Sequence, residues 1–243
     1  MPVEWLIVPF AAFFAAVISG LGGFGGALIL VIILTPIVGV KAVIPLISVF
    51  ATCNNLSRVF IYRKHIIWRT AFQFTLASLP GVYFGAKLLE WLPERVLLFI
   101  LGMILLFAIP LGRHLKRRKF ESGIKTIISF GAIYGFVSGA AAGTGMLVIA
   151  GLNSAGLRGS ILLGTDAVIG FFNGATRAGV YSFLGLLTPT MVGYALLMGL
   201  LTIPGNWVAS LIVKKIGDNL HSKLIETLIA VGGIWFIFKS LFN

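Results

Sequence analysis

The chain has 243 residues, 58% of them hydrophobic and 11% charged, whereas a soluble domain carries roughly 25% charged residues. That deficit leaves too little polar surface to cover a water-soluble fold and points to a membrane protein. The net charge of +12 sits in short basic runs between apolar segments, the pattern of loops facing anionic lipid, so nucleic acid is not an expected partner.

A bilayer core about 30 Å thick takes about 20 apolar residues per helical span. Apolar segments cover 3–18, 27–38, 41–62, 70–89 and 96–111, then 124–138, 145–157, 159–184, 190–213 and 224–242. The first follows only residues 1–4, lacks a basic start and runs into glycines, so no cleavable signal is expected. Segments 3–18 and 27–38 meet at Gly20, Gly22, Gly23, Gly25 and Gly26. Segments 124–138 and 145–157 meet at Gly139, Gly143 and Gly145. Twelve residues of helix reach only about 18 Å, too short to span the core. The single cysteine, Cys53, excludes an intrachain disulfide and reads as a small core residue.

The chain resembles itself. Ser19-Gly20 recurs as Ser138-Gly139, and at the same offset Gly26 and Leu28 match Gly145 and Leu147. At that offset too, Asn54, Arg58 and Tyr62 match Asn173, Arg177 and Tyr181, residues rare in apolar helices. Pro80-Gly81 resembles Pro204-Gly205 after a short slip. Two homologous halves are expected, 1–120 and 121–243, joined by the basic run Arg113, His114, Lys116, Arg117, Arg118 and Lys119.

Basic loops choose the topology. Each glycine-linked pair is either one span or a there-and-back hairpin. With hairpins the halves are inverted. Arg63, Lys64, Arg69, Arg113, Lys116, Arg117, Arg118, Lys119, Lys125, Arg158, Lys214, Lys215 and Lys223 then face the cytoplasm, against Lys41, Lys87, Arg95 and Lys239 outside. With single spans the halves run parallel, Arg158, Lys214, Lys215 and Lys223 move outside, and only Lys239 moves in. The inverted plan fits better and puts the uncharged loop 185–189 and both termini outside. The fold expected is all-α and polytopic: two inverted repeats, each a re-entrant or broken helical hairpin followed by three transmembrane helices. Such repeats are a recurrent plan for secondary transporters, with the site near the midplane.

The candidate site follows from that plan. Glycine turns at membrane depth leave unpaired backbone groups, tolerated where protein or a cavity satisfies them. The helix after each turn offers free N–H groups and a positive dipole end to an anion. The competing explanation is close packing through small residues. Ser19, Gly20, Gly22, Gly23, Gly25 and Gly26 of the first turn, and Ser138, Gly139, Gly143, Thr144 and Gly145 of the second, are substrate-binding candidates. Spacing of four puts Asn54, Arg58 and Tyr62 on one helical face, and Asn173, Arg177 and Tyr181 on another. A charge within a span is costly and usually faces a cavity, so Asn54, Arg58, Asn173 and Arg177 join the candidates as attractors or gates for an anion. Each arginine could instead snorkel to an interface, and the tyrosines could be interfacial anchors. Asp166 is the only acid expected well inside a span, and Ile47 stands at the equivalent position. It reads either as a structural partner for an arginine, Arg58 among them, or as the ion-coupling site. Ser19, Ser138, Thr144, Thr165 and Asn206 could donate to a ligand, but singly each is expected to bond a backbone carbonyl. His65, His114 and His221 fall in expected loops without a metal-ligand cluster, and no phosphate-binding loop with its lysine is visible. No enzyme, cofactor or metal site is expected.

The run Ser19-Gly20-Leu21-Gly22-Gly23-Phe24-Gly25-Gly26-Ala27 ahead of Pro36 resembles the signature of the sulfite exporter TauE/SafE family, also called the toluene sulfonate uptake permeases. So do its weaker copy at 138–147, the segment at 80–85 and the basic linker. The second copy departs from the pattern, with Ala140, Ala141 and Ala142 in place of glycines. The resemblance covers essentially the whole chain. It implies transport of sulfite, sulfonates or related organosulfur or carboxylate anions across the cytoplasmic membrane, driven by a proton or sodium gradient. A small anion and the lipid bilayer are thus the expected partners, and homo-oligomerisation is left open. An anion channel or a carboxylate transporter of the same fold is the alternative.

Overall fold

The computed structural model describes residues 4–93, 95–96, 98–100, 102–103, 106–107, 110, 124–141, 143–154, 157, 159–212, 230–231, 233–235 and 237–241. The basic linker between the expected halves, Arg158, and Lys214, Lys215 and Lys223 lie outside the described residues. Among the described residues all regular structure is helical. In chain order the helices are α1 (Glu4–Gly22), α2 (Gly26–Val38), α3 (Val40–Tyr62), α4 (Trp68–Trp91), α5 (Ile124–Ala140), α6 (Gly145–Ser154), α7 (Gly159–Phe183), α8 (Pro189–Leu200) and α9 (Thr202–Ile212). A 3-10 turn, Arg63–His65, follows α3. Further helical residues lie between 95 and 110 and between 230 and 241.

Lys41–His65 and Pro189–Ile212 are long and apolar enough to cross a membrane. Val8–Gly22, Gly26–Val38 and Ile127–Ala140 are shorter apolar helices. α4 and α7, with 24 and 25 residues, reach about 36 Å. The outer surface carries large apolar side chains in the open, among them Phe10, Phe14, Phe60, Phe84, Leu197 and Trp207, as expected of a face turned to lipid.

Two differences from the sequence reading have local causes. α1 continues past 18 through Gly20 and Gly22, so it has 19 residues. Gly20 makes room for α9 and does not turn the chain: a Cβ there would meet the Asn206 and Ala209 side chains. The expected segment 190–213 divides at Leu201 into α8 and α9. Pro204 cannot donate a backbone hydrogen bond into the preceding turn. There the turn tightens, with Leu201 N donating to Met198 O at 3.2 Å and Thr202 Oγ1 to Gly199 O at 2.6 Å.

Small residues set the packing. α4 lies against α5 so closely that a Cβ at Gly81, Gly85, Gly135 or Gly139 would strike the partner's backbone, the close approach typical of helices in lipid. The contacts advance together along both chains, Phe74 with Gly131, Ser78 with Gly135 and Val82 with Gly139, so the pair is parallel. α1 and α9 are likewise parallel, Ala16 beside Gly205 and Gly20 beside Ala209. α3 and α7 run antiparallel, with Tyr62 against Gly164, Asn55 against Gly170 and Thr52 against Gly174. The residues around Gly102 and Gly233 also pair antiparallel, and Arg95 Nε donates to Ser240 O at 2.8 Å. One apolar core gathers side chains of α1, α2, α3 and α8, including Leu30, Leu34, Ile44, Phe50 and Met198. A second gathers those of α4 to α7, including Phe74, Val148, Leu152, Leu162 and Ile169.

Candidate functional site

Both glycine clusters interrupt a helix. α1 ends with Gly23 N donating to Ser19 O at 2.8 Å. Gly23 and Gly25 then adopt φ of 81° and 98°, left-handed values that a side chain would strain, and α2 begins at Gly26. In the second cluster Gly143 turns the chain with φ 82°, between the end of α5 and the start of α6 at Gly145. The two breaks touch. Gly145 faces Phe24 and the Gly23 carbonyl, a Cβ at Gly143 would strike Leu28, and Gly23 lies against Ile149. The N-termini of α2 and α6, with their unpaired N–H groups, are therefore brought together.

Between them is a cavity of about 60 Å³, room for about two waters or one small anion. Ser19, Gly23, Phe24, Gly25 and Ala27 line it from the first break; Phe50, Ala51, Asn54 and Asn55 from α3; Tyr134 from α5. Gly143, Thr144 and Gly145 line it from the second break, and Asp166, Gly170 and Arg177 from α7.

The two arginines are both buried, and each holds the broken helix of its own side. Arg58 Nη1 donates to Gly23 O at 3.3 Å, and Arg177 Nη1 donates to Ser138 O at 3.0 Å. Tyr181, fully buried, donates to Gly139 O at 2.5 Å; it is not an interfacial anchor. Beyond this the arginines differ. Arg58 Nη2 bonds Asp166 Oδ2 at 2.8 Å and Leu163 O at 3.2 Å, and its Nη1 bonds Asn55 Oδ1 at 3.0 Å. That is the structural partnership of Asp166 with Arg58 weighed from the sequence. Arg177 has no carboxylate within ion-pair distance among the described residues. It is 6% exposed and lines the cavity, whereas Arg58 does not; the Nε of each arginine is without a hydrogen-bond partner. The Arg58–Asp166 pair is neutral as a unit, so among the described residues Arg177 is the charge at the cavity without a counter-ion.

The structure brings Ser19, Gly23, Gly25, Asn54, Gly143, Thr144, Gly145, Asp166 and Arg177 to one cavity. It keeps Gly20, Gly22, Gly26, Arg58, Ser138, Gly139 and Asn173 off its wall. Gly26 and Gly139 serve close packing, against Ala15 and Val82 backbone. Ser138 Oγ donates to Gly135 O at 3.0 Å. Asn173 accepts from Ser78 Oγ at 3.1 Å. Asn54 sits in a buried network, donating to Ser19 Oγ at 2.9 Å while Asn206 Nδ2 donates to its Oδ1 at 2.9 Å. Thr165 Oγ1 accepts from Ile67 N at 3.1 Å. Sequence reasoning missed Phe24, Ala27, Phe50, Ala51, Asn55, Tyr134 and Gly170. Asn55 and Gly170 carried a signal: one extends an Asn-Asn pair inside an apolar helix, the other lies one turn after Asp166.

Apolar helices interrupted at a shared interior cavity are the mark of a membrane protein whose irregular backbone is sheltered by its own fold. The family model of the sulfite exporter TauE/SafE matches residues 8–236, and the chain belongs to that family, whose members are membrane transporters of sulfite and related sulfur anions. No curated protein and no solved structure matches the chain.

Proposed function

We propose that this protein is a multi-pass secondary transporter of the cytoplasmic membrane that carries a small anion, sulfite or a compact organosulfur anion, through the cavity between the two helix breaks. The observation that carries this reading is Arg177. A buried charge is costly without a counter-ion; Arg177 has none among the described residues, and an anion in the cavity would supply it. The N-terminal ends of α2 and α6 add N–H donors and positive dipole ends to the same place.

Alternating access between inverted halves, 1–120 and 121–243, is the mechanism we favour. The antiparallel pairing of α3 with α7 and the parallel pairings of α1 with α9 and α4 with α5 are what a twofold axis in the membrane plane would generate. Asp166 is the group we assign to ion coupling, since it lines the cavity and is held by Arg58. A proton or sodium ion reaching its carboxylate would compete with that guanidinium and loosen the Gly23 turn.

Proteoliposomes loaded with labelled sulfite test the proposal. Wild-type protein should support flux driven uphill by a proton or sodium gradient, and Arg177→Ala should abolish it. Flux that no second gradient can drive uphill would make the protein a channel. Equal flux in wild type and Arg177→Ala would remove the cavity from the pathway, and flux of carboxylates alone would exclude the sulfur anion.

A further inference from the structure

We infer that Tyr134, acting with Thr144, makes the cavity select oxyanions over halides. The inference rests on the cavity being the anion site. A guanidinium and helix N-termini attract any anion, spherical or not, so they supply affinity without shape. An oxyanion differs from a halide in presenting several directional acceptors, and hydroxyl donors at fixed positions read that difference.

The asparagines on the cavity wall are already engaged. Asn54 gives its amide to Ser19 Oγ and accepts from Asn206, so Ser19 keeps its own O–H. Asn55 gives its amide to Ala51 O and its carbonyl to Arg58. Beside the Ser19 hydroxyl, those of Tyr134 and Thr144 remain. Both are buried, at 4% and 3% exposure, and both line the cavity. A hydroxyl carries one hydrogen to donate, so each can meet one acceptor oxygen of a ligand at the cavity wall. The Tyr134 ring is fixed by Phe74, with centroids 5.6 Å apart, so the hydroxyl is held at a defined position beside the cavity. The first half offers no equivalent: at the repeat offset Ala15 and Gly25 stand where Tyr134 and Thr144 do. These two hydroxyls belong to the second half alone, whereas Ser19 has a counterpart in Ser138.

Titration calorimetry of purified protein with sulfite and, separately, bromide tests this in wild type, Tyr134→Phe, Thr144→Val and Arg177→Ala. Tyr134→Phe deletes one oxygen and keeps the ring on Phe74. It should weaken sulfite about tenfold, the scale of one hydrogen bond to a charged group, and leave bromide unchanged; Thr144→Val should do the same. Sulfite affinity equal to wild type in both folded variants would overturn the inference, as would equal losses for sulfite and bromide. If Arg177→Ala keeps its affinity for both anions, the cavity is not the anion site and the reading beneath the inference falls instead.

Discussion

Arg58 on α3 and Asp166 on α7 meet at 2.8 Å in the protein interior, with side chains 1% and 5% exposed. The same guanidinium reaches the Gly23 carbonyl in the first helix break. One ion pair thus ties two long helices to each other and to a turn that lines the cavity. Removing one member strands the other charge, which typically costs 3–5 kcal/mol. Asp166→Asn and Arg58→Gln should each lower the thermal unfolding midpoint in detergent sharply. The double variant Arg58→Gln/Asp166→Asn should recover much of the loss, and a strictly additive double variant would contradict the pairing.

Arg177 should behave differently. Its guanidinium lacks a carboxylate partner among the described residues, so Arg177→Gln strands no acid and gives up only the bond to Ser138 O. Thermal unfolding should show a much smaller loss for Arg177→Gln than for Arg58→Gln, while sulfite binding is lost. A destabilisation matching that of Arg58→Gln would show that Arg177 is a structural group.

The glycines separate into turning and spacing roles with distinct outcomes. Gly143→Ala strains a left-handed residue, at about 1–3 kcal/mol, and also drives a methyl into Leu28. At Gly179, on α7, an added methyl would find nothing within 4 Å, and Gly→Ala in a helix interior gains up to about 1 kcal/mol. Unfolding midpoints should therefore fall for Gly143→Ala and hold or rise for Gly179→Ala.

The α4–α5 contact gives a fourth test. A side chain at Gly135 would collide with the Ser78 backbone, so Gly135→Leu must push the two helices apart. Its expected result is loss of monodisperse protein on size-exclusion chromatography, whereas Gly193→Leu, in open space, should elute as wild type.

Much of the site was legible because its marks are residue types that apolar helices rarely carry. The glycine runs located both breaks, and the repeated Asn-x3-Arg-x3-Tyr spacing located the buried faces of α3 and α7. Three things were not legible. A glycine that turns the chain, such as Gly25, looks in sequence like one that admits a neighbouring backbone, such as Gly26 or Gly139; only φ and the facing helix distinguish them. The arginines, equivalent by repeat, acquire unequal roles from a single acid, because Asp166 reaches Arg58 and no described acid reaches Arg177. Tyr134 escaped because its counterpart is Ala15, so a search for self-similarity passes over it.

The parallel embrace of α4 and α5 has a consequence for how the chain is made. Gly81 and Gly85 find their backbone neighbours only in a helix encoded some forty residues later, beyond the basic linker. During synthesis α4 must therefore wait in lipid, its notched side unfilled, until α5 emerges. α1 waits longer still for α9. Maturation of the first-made helices is thus tied to the last-made ones, and a polypeptide halted at the linker should be recognised by quality-control proteases as unfinished.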